Sequence, residues 1–282
     1  MLSALTLQAG YNAALVSIGA ALLGAAAGGV GAFLTLRRRS LMSDAMAHAT
    51  LPGIGIAFLV MVALGGDGRF LPGLMLGAAV TAGLGLMAVQ GLTRKLGEDA
   101  ATGAVLSTFY GFGIVLLTVI QGVGEGRPAG LQSVLLGSTA GMLRADAIII
   151  GVGGAMVLAL LAGLRRPLAM VAFDPVHARL TGVNPRAMDA LLLALVLAVV
   201  LVGLNVTGLI LIVALLVTPA VTARLWTGTV SGMALLSAAI GAVCGYLGAA
   251  ISASAPDLPT GPVIVLLAFA GFVVSVLVRG GK

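Results

Sequence analysis

Charge is scarce in this chain. Only 9% of its 282 residues are Asp, Glu, Lys or Arg, against roughly 25% in an ordinary soluble domain. Meanwhile 60% are hydrophobic and the mean hydropathy is +1.18. So few charges cannot coat a water-facing shell around that much apolar bulk, which excludes a soluble globule and places the chain in a bilayer. Cysteine is nearly missing as well. The single Cys244 lies inside an apolar run, which excludes a disulfide framework and a cysteine metal site. Only two histidines occur, His48 and His177, which argues against a Ser/His/Asp hydrolytic constellation.

Other absences narrow the function. There is no G-x-x-x-x-G-K-[ST] phosphate loop, the only Gly-Lys pair being Gly281-Lys282, so the chain has no evident means of hydrolysing ATP. No run of intramembrane arginines suggests a voltage sensor. No pair of matching Gly/Pro-broken halves suggests an inverted-repeat secondary transporter. The first residues, MLSALTLQAGYNAAL, carry no basic leader or small-residue cleavage site, so no removable signal peptide is expected. The reading is a single membrane domain over 1–282 that is not itself an enzyme.

What is present is apolar length, glycine and a one-sided distribution of basic charge. Runs near the about 20 residues a spanning helix needs occur at 12–36, 44–64, 70–93, 99–121, 145–164, 188–204, 206–223, 228–250 and 261–278. The pair 188–204 and 206–223 is short and parted only by Asn205, and reads as two crossings or as a tight re-entrant hairpin. The expectation is an all-α polytopic bundle of eight or nine helices. With the N-terminus outside, twelve Lys and Arg fall on one side and only Arg69, Arg127 and Arg144 on the other. The first side is therefore cytoplasmic, and the C-terminus with it. The net charge of +6 is read as topology and attraction to anionic lipid, not as nucleic-acid binding. The 42 glycines suit close helix approach in lipid, and the 11 scattered methionines read as packing.

Two long loops remain, an external one over 121–144 and a cytoplasmic one over 165–186 (RRPLAMVAFDPVHARLTGVNPR). In the second, Val176, Leu180 and Val183 recur at helical spacing behind Pro175. This predicts a short amphipathic helix capped by Asp174 and ended near Gly182. Such a helix either lies on the headgroups or receives a partner protein. His177 reads as an interface residue.

The residues that could carry chemistry lie in RRRSLMSDAMAHATLPGIGIAFL. Asp44 and His48 are four apart and share a helix face. A carboxylate and an imidazole both suit Zn²⁺, Mn²⁺ or Fe²⁺, and ionisable groups at membrane depth usually face a polar path. Spacing leaves the alternative open that Asp44 caps the helix while His48 bonds a neighbouring carbonyl. Thr218-Pro219 marks either a packing kink or a bend lining a translocation path.

Four ordered stretches resemble one family. They are RRRSLMSDAMAHATLPGIGIAFL, FDPVHARLTGVNP, GLILIVALLVTPAVTARL and SASAPDLPTGPVIVLL, in register from 37 to 268. They are similar to the permease subunits of bacterial ABC importers for zinc, manganese and iron(II), with a type II importer-like fold. The resemblance implies a homodimer in the inner membrane, two cytoplasmic ATPase subunits below and an extracytoplasmic metal-binding protein above. It assigns Asp44 and His48 to a transient metal site, four ligands once doubled by two-fold symmetry. It assigns Asp174, His177, Ala178 and Gly182 to the helix that engages the ATPase. The transported metal ion would be the cargo, with no permanent cofactor. One departure is external: LGSTAGML at 136–143 lacks the acidic residue that often follows Phe-Gly in the family. The alternatives are a permease for a metal chelate, which has no need of Asp44 and His48, and an ATP-independent secondary cation transporter, which leaves the 174–182 segment unexplained.

Overall fold

A computed structural model describes residues 11–66, 68, 70–122, 144–254 and 258–279. Among these residues the chain is helical, without strands. The helices are α1 (Tyr11–Leu36), α2 (Ser40–Ala63), α3 (Leu71–Leu96), α4 (Glu98–Gly122), α5 (Arg144–Phe173), α6 (Pro175–Leu180), α7 (Pro185–Trp226), α8 (Val230–Ser254) and α9 (Thr260–Arg279). Among the described residues, eight stretches are long and apolar enough to cross a membrane. They coincide with the apolar runs of the sequence, the pair 188–223 being the exception.

That pair is a hairpin. Gly208, inside α7, has φ 74 and ψ 171, a conformation that helix dihedrals exclude and that only glycine adopts without strain. The Ile212 side chain then lies over Gly203. In a continuous helix nine residues would separate the two by about 13.5 Å along the axis, so the chain doubles back. The first arm, Pro185–Leu204, is long enough to span, while the second, Leu211–Trp226, is shorter.

Of the external loop of the sequence reading, 121–144, residues 123–143 lie outside the described residues, while 121–122 and 144 are helix ends. The cytoplasmic segment differs from its expected length, because α5 continues through Pro167 as far as Phe173. Leu168 and Val171 on that extension are buried, so the helix has packing to hold it together past the proline.

The chain divides into two compact units, Met1–Ser40 with Leu136–Lys282, and Leu41–Leu135. In the first, α1 and α8 pack antiparallel along small residues. Gly24 faces Gly241, Gly28 faces Ser237, and Ala20 faces Gly245. At Gly24, Gly28, Gly241 and Gly245 an added Cβ would overlap the backbone of the other helix. Lipid offers no hydrophobic force to drive helices together, so association relies on such close approach and on interhelical hydrogen bonds. The Ser237 hydroxyl supplies one, donating to the Gly28 carbonyl at 2.6 Å. At the other end of α1 the ends of α5 and α7 converge, and the Arg279 guanidinium of α9 stacks over Trp226 at 4.7 Å. These are termini that the basic residues assign to one side of the membrane.

The second unit holds α2, α3 and α4. Its helices also meet through glycine. Gly53 on α2 faces Gly77 on α3, and Gly113 on α4 sits under Leu51. This packing fixes the face of α2 that bears Asp44 and His48.

Candidate functional site

Helix α2 begins at Ser40, so Asp44 is already one turn inside it and does not cap it. The four-residue spacing brings Asp44 Oδ1 to 3.3 Å from His48 Nε2. Two ligands bonded to one ion at about 2.0–2.2 Å stand about 2.8–3.1 Å apart in octahedral and about 3.3–3.6 Å apart in tetrahedral geometry. The 3.3 Å separation is that of a direct carboxylate–imidazole contact and also falls at the tetrahedral spacing of two ligands on one ion. Asp44 is 37% exposed and His48 21%, so the carboxylate is the more open of the two.

His48 Nδ1 is buried and has no hydrogen-bond partner among the described residues. A metal-ligating histidine usually has its other nitrogen tied to a carboxylate or carbonyl, which sets ring orientation and strengthens the ligand. In this chain the ring is held instead by Tyr110 of α4, which meets the imidazole edge to face with centroids 4.8 Å apart and planes at 77°. The imidazole is thus held by packing and presents Nε2 toward Asp44. Among the described residues no group of three or more His, Cys, Asp and Glu stands together. The chain thus brings together two groups of metal-ligating type, one carboxylate and one imidazole, at this point of α2.

The 174–182 segment folds as its residues dictate. Asp174 caps α6, its carboxylate accepting from the Val176 and His177 N–H groups at 3.0 and 2.9 Å, with Pro175 at the first helical position. Gly182, at φ 84, ends it: Gly182 N–H donates to Arg179 C=O at 3.1 Å and Val183 N–H to Ala178 C=O at 2.8 Å. That is the paired-bond helix stop for which glycine is favoured. Asn184 caps α7 in turn through the Arg186 N–H. Asp174, His177, Ala178 and Gly182 thus belong to one tight structural unit. Its buried residue is Ala178, whereas Phe173, Val176 and Leu180 are exposed at 70%, 64% and 81%. Val176 and Leu180 of the predicted apolar stripe turn outward while Val183 is half-buried, so these two and the neighbouring Phe173 are available to a partner or to headgroups.

Thr218 and Pro219 lie on the second arm of α7. The Thr218 carbonyl accepts from the Thr222 hydroxyl at 2.8 Å, and Pro219 is buried in helical conformation. The break in α7 is at Gly208. Proline fixes φ in the helical range, whereas reversing the chain needs a positive φ.

Sequence reasoning missed Tyr110, because nothing in its local spacing points to His48. It also passed over Asp189, although an acidic residue one turn into an apolar run was a visible sign. Asp189 pairs with Arg37, Oδ2 to Nη2 at 2.7 Å. Segment 136–143, where the external acidic residue was looked for, lies outside the described residues.

The profile of the ABC 3 transport family matches residues 11–279. The chain belongs to that family. It is 39% identical over 268 residues to the manganese transport system membrane protein MntC of Bacillus subtilis (strain 168), covering 94% of this chain and 60% of that one. It is 39% identical over 270 residues to the zinc transport system membrane protein TroC of Treponema pallidum (strain Nichols), covering 95% and 89%. Among solved structures, PsaBC from Streptococcus pneumoniae in complex with Fab is similar, with a TM-score of 0.82 and 31% identity over 98% of this chain and 95% of that one. The resemblance carried by the four sequence motifs is therefore borne out, as is the all-helical permease fold. This ABC 3 family permease is a multi-pass inner-membrane transport subunit and not an enzyme.

Proposed function

We propose that this permease carries Mn²⁺, Zn²⁺ or Fe²⁺ inward across the inner membrane as one half of a homodimer, working as a single permease domain. Two separate ATPase subunits drive it from the cytoplasm, and an extracytoplasmic metal-binding protein delivers the ion. The observation that carries this reading is the Asp44–His48 pair, a carboxylate and an imidazole held 3.3 Å apart on α2. A bare divalent cation cannot cross about 30 Å of hydrocarbon, so the path must supply oxygen and nitrogen donors that replace part of its water. Two donors per chain, doubled by two-fold symmetry, make four, which suits Zn²⁺ and also Mn²⁺ or Fe²⁺ completed by water. Because two of the four donors come from each chain, movement of the chains relative to each other breaks up the set and releases the ion. ATP binding in the partner moves the segment around Asp174, His177, Ala178 and Gly182, shifting the permease between outward and inward states. Thr218 and Pro219, on the second arm of α7, lie along the same path, while the reversal of the chain is at Gly208.

The test is reconstitution with the ATPase and binding-protein partners in proteoliposomes, following radiolabelled manganese and zinc. ATP-dependent flux that is lost in Asp44→Ala and His48→Ala variants is the expected result. Full flux in both variants would remove the site, and flux without ATP would make the chain a secondary carrier.

A further inference from the structure

Helix α1 ends in a paired-bond stop: Arg38 N–H donates to Thr35 C=O and Arg39 N–H to Leu34 C=O, both at 3.0 Å. The position that normally takes glycine is filled by Arg38, at φ 58. This turn throws the Arg37 side chain onto two elements at once. Its Nη1 donates to the Val171 carbonyl at 2.7 Å, and its Nη2 to Asp189 Oδ2 at 2.7 Å, with Arg39 Nη1 at 3.5 Å from the same oxygen.

Both partners are placed by the sequence. The Val171 carbonyl would bond the N–H four residues on, but that residue is Pro175, which has none. The last turn of α5 is therefore left with a buried acceptor that needs an outside donor. Asp189 lies one turn into α7. Val171 and Asp189 thus flank the 174–182 segment, and one guanidinium grips both flanks. Arg37 and Asp189 side chains are only 17% and 22% exposed, so the charged hydrogen bonds are partly shielded from water. From Arg37 the backbone runs through Arg38 and Arg39 into Ser40, the first residue of α2, on which Asp44 and His48 sit.

We propose that Arg37 is a positioning residue, paired with Asp189, that locks both flanks of the 174–182 segment to the chain entering α2. Displacement of that segment is then handed to the helix carrying the metal ligands. The inference rests on the ATP-driven reading above. A planar guanidinium can hold a carbonyl and a carboxylate in fixed directions at the same time, whereas a lysine ammonium on a flexible stem holds them loosely.

The experiment uses the full reconstituted complex and counts metal ions moved per ATP hydrolysed. Arg37→Lys and Asp189→Asn complexes are expected to retain their ATPase subunits and hydrolyse ATP, while ions per ATP fall about five-fold or more. The double variant should fall no further than either single one, and Asp189→Glu, which keeps the charge, should recover most of the coupling. Unchanged ions per ATP in the single variants would overturn the proposal. So would a parallel fall in hydrolysis and flux, which is what a purely structural role produces. Asp189→Asn keeps shape and a hydrogen-bond acceptor, so it stands as the test if Arg37→Lys does not assemble. An absence of ATP-driven flux in the unaltered complex would instead defeat the transport reading itself, a separate and recognisable outcome.

Discussion

Ile212 lies over Gly203 so closely that a Cβ on the glycine would come within 2.6 Å of the isoleucine Cδ1. The contact exists because Gly208, at φ 74 and ψ 171, reverses the chain between them. Gly208→Ala places a side chain in a region essentially closed to L-residues, at a cost of about 1–3 kcal/mol. Its thermal midpoint in detergent should fall below that of the unaltered protein. An unchanged midpoint would mean that the reversal does not depend on this glycine.

Close helix approach predicts a contrast between glycines. Gly31→Val drives a side chain into the Leu216 backbone, and Gly24→Val does the same at Gly241, so both should abolish the monodisperse folded protein on size-exclusion chromatography. Gly163, in the middle of α5, has nothing within 4 Å of a built Cβ. Gly163→Ala should therefore be neutral or stabilising by about 0.5–1 kcal/mol, through lower chain entropy and better helix propensity.

At the candidate metal site the substitutions separate ligands from the ring that orients them. Asp44→Asn removes the charge while keeping the shape, and His48→Ala removes the nitrogen. Each should reduce ATP-dependent metal flux to background. Tyr110→Phe preserves the edge-to-face contact with His48 and should transport at close to the normal rate. Tyr110→Ala frees the imidazole and should lower flux several-fold. Equal rates for Phe and Ala at this position would show that the ring contact does not matter.

The 174–182 segment offers a cap test. Asp174→Ala removes the acceptor for two N–H groups and costs about 0.5–2 kcal/mol, a large share for a helix of six residues. Co-purification with the ATPase subunits should weaken, and Asp174→Ser, which can cap in the same way, should restore most of it. If serine does no better than alanine, the carboxylate acts by touching the partner and not by capping.

Much of this protein is legible in one dimension because the solvent is a bilayer. A spanning helix must satisfy its own backbone and be apolar over about 20 residues, so length and hydropathy give the spans. The asymmetric basic residues give their orientation. Local chemistry gives the Asp174 cap, the Gly182 stop and the shared face of Asp44 and His48, since each depends on residues within a turn or two. Other features required the tertiary structure because their partners are far apart in the chain. The register of Gly24 and Gly28 on Gly241 and Ser237 is one, and the seating of Tyr110 against His48 another. The outward turn of Val176 and Leu180 depends on burying Ala178 instead. The longest-range case is Arg37, drawn to Asp189 and to a carbonyl that Pro175 leaves without a donor. Apolar periodicity cannot anticipate such pairings, because in lipid every face of a helix reads alike and only packing selects the neighbour.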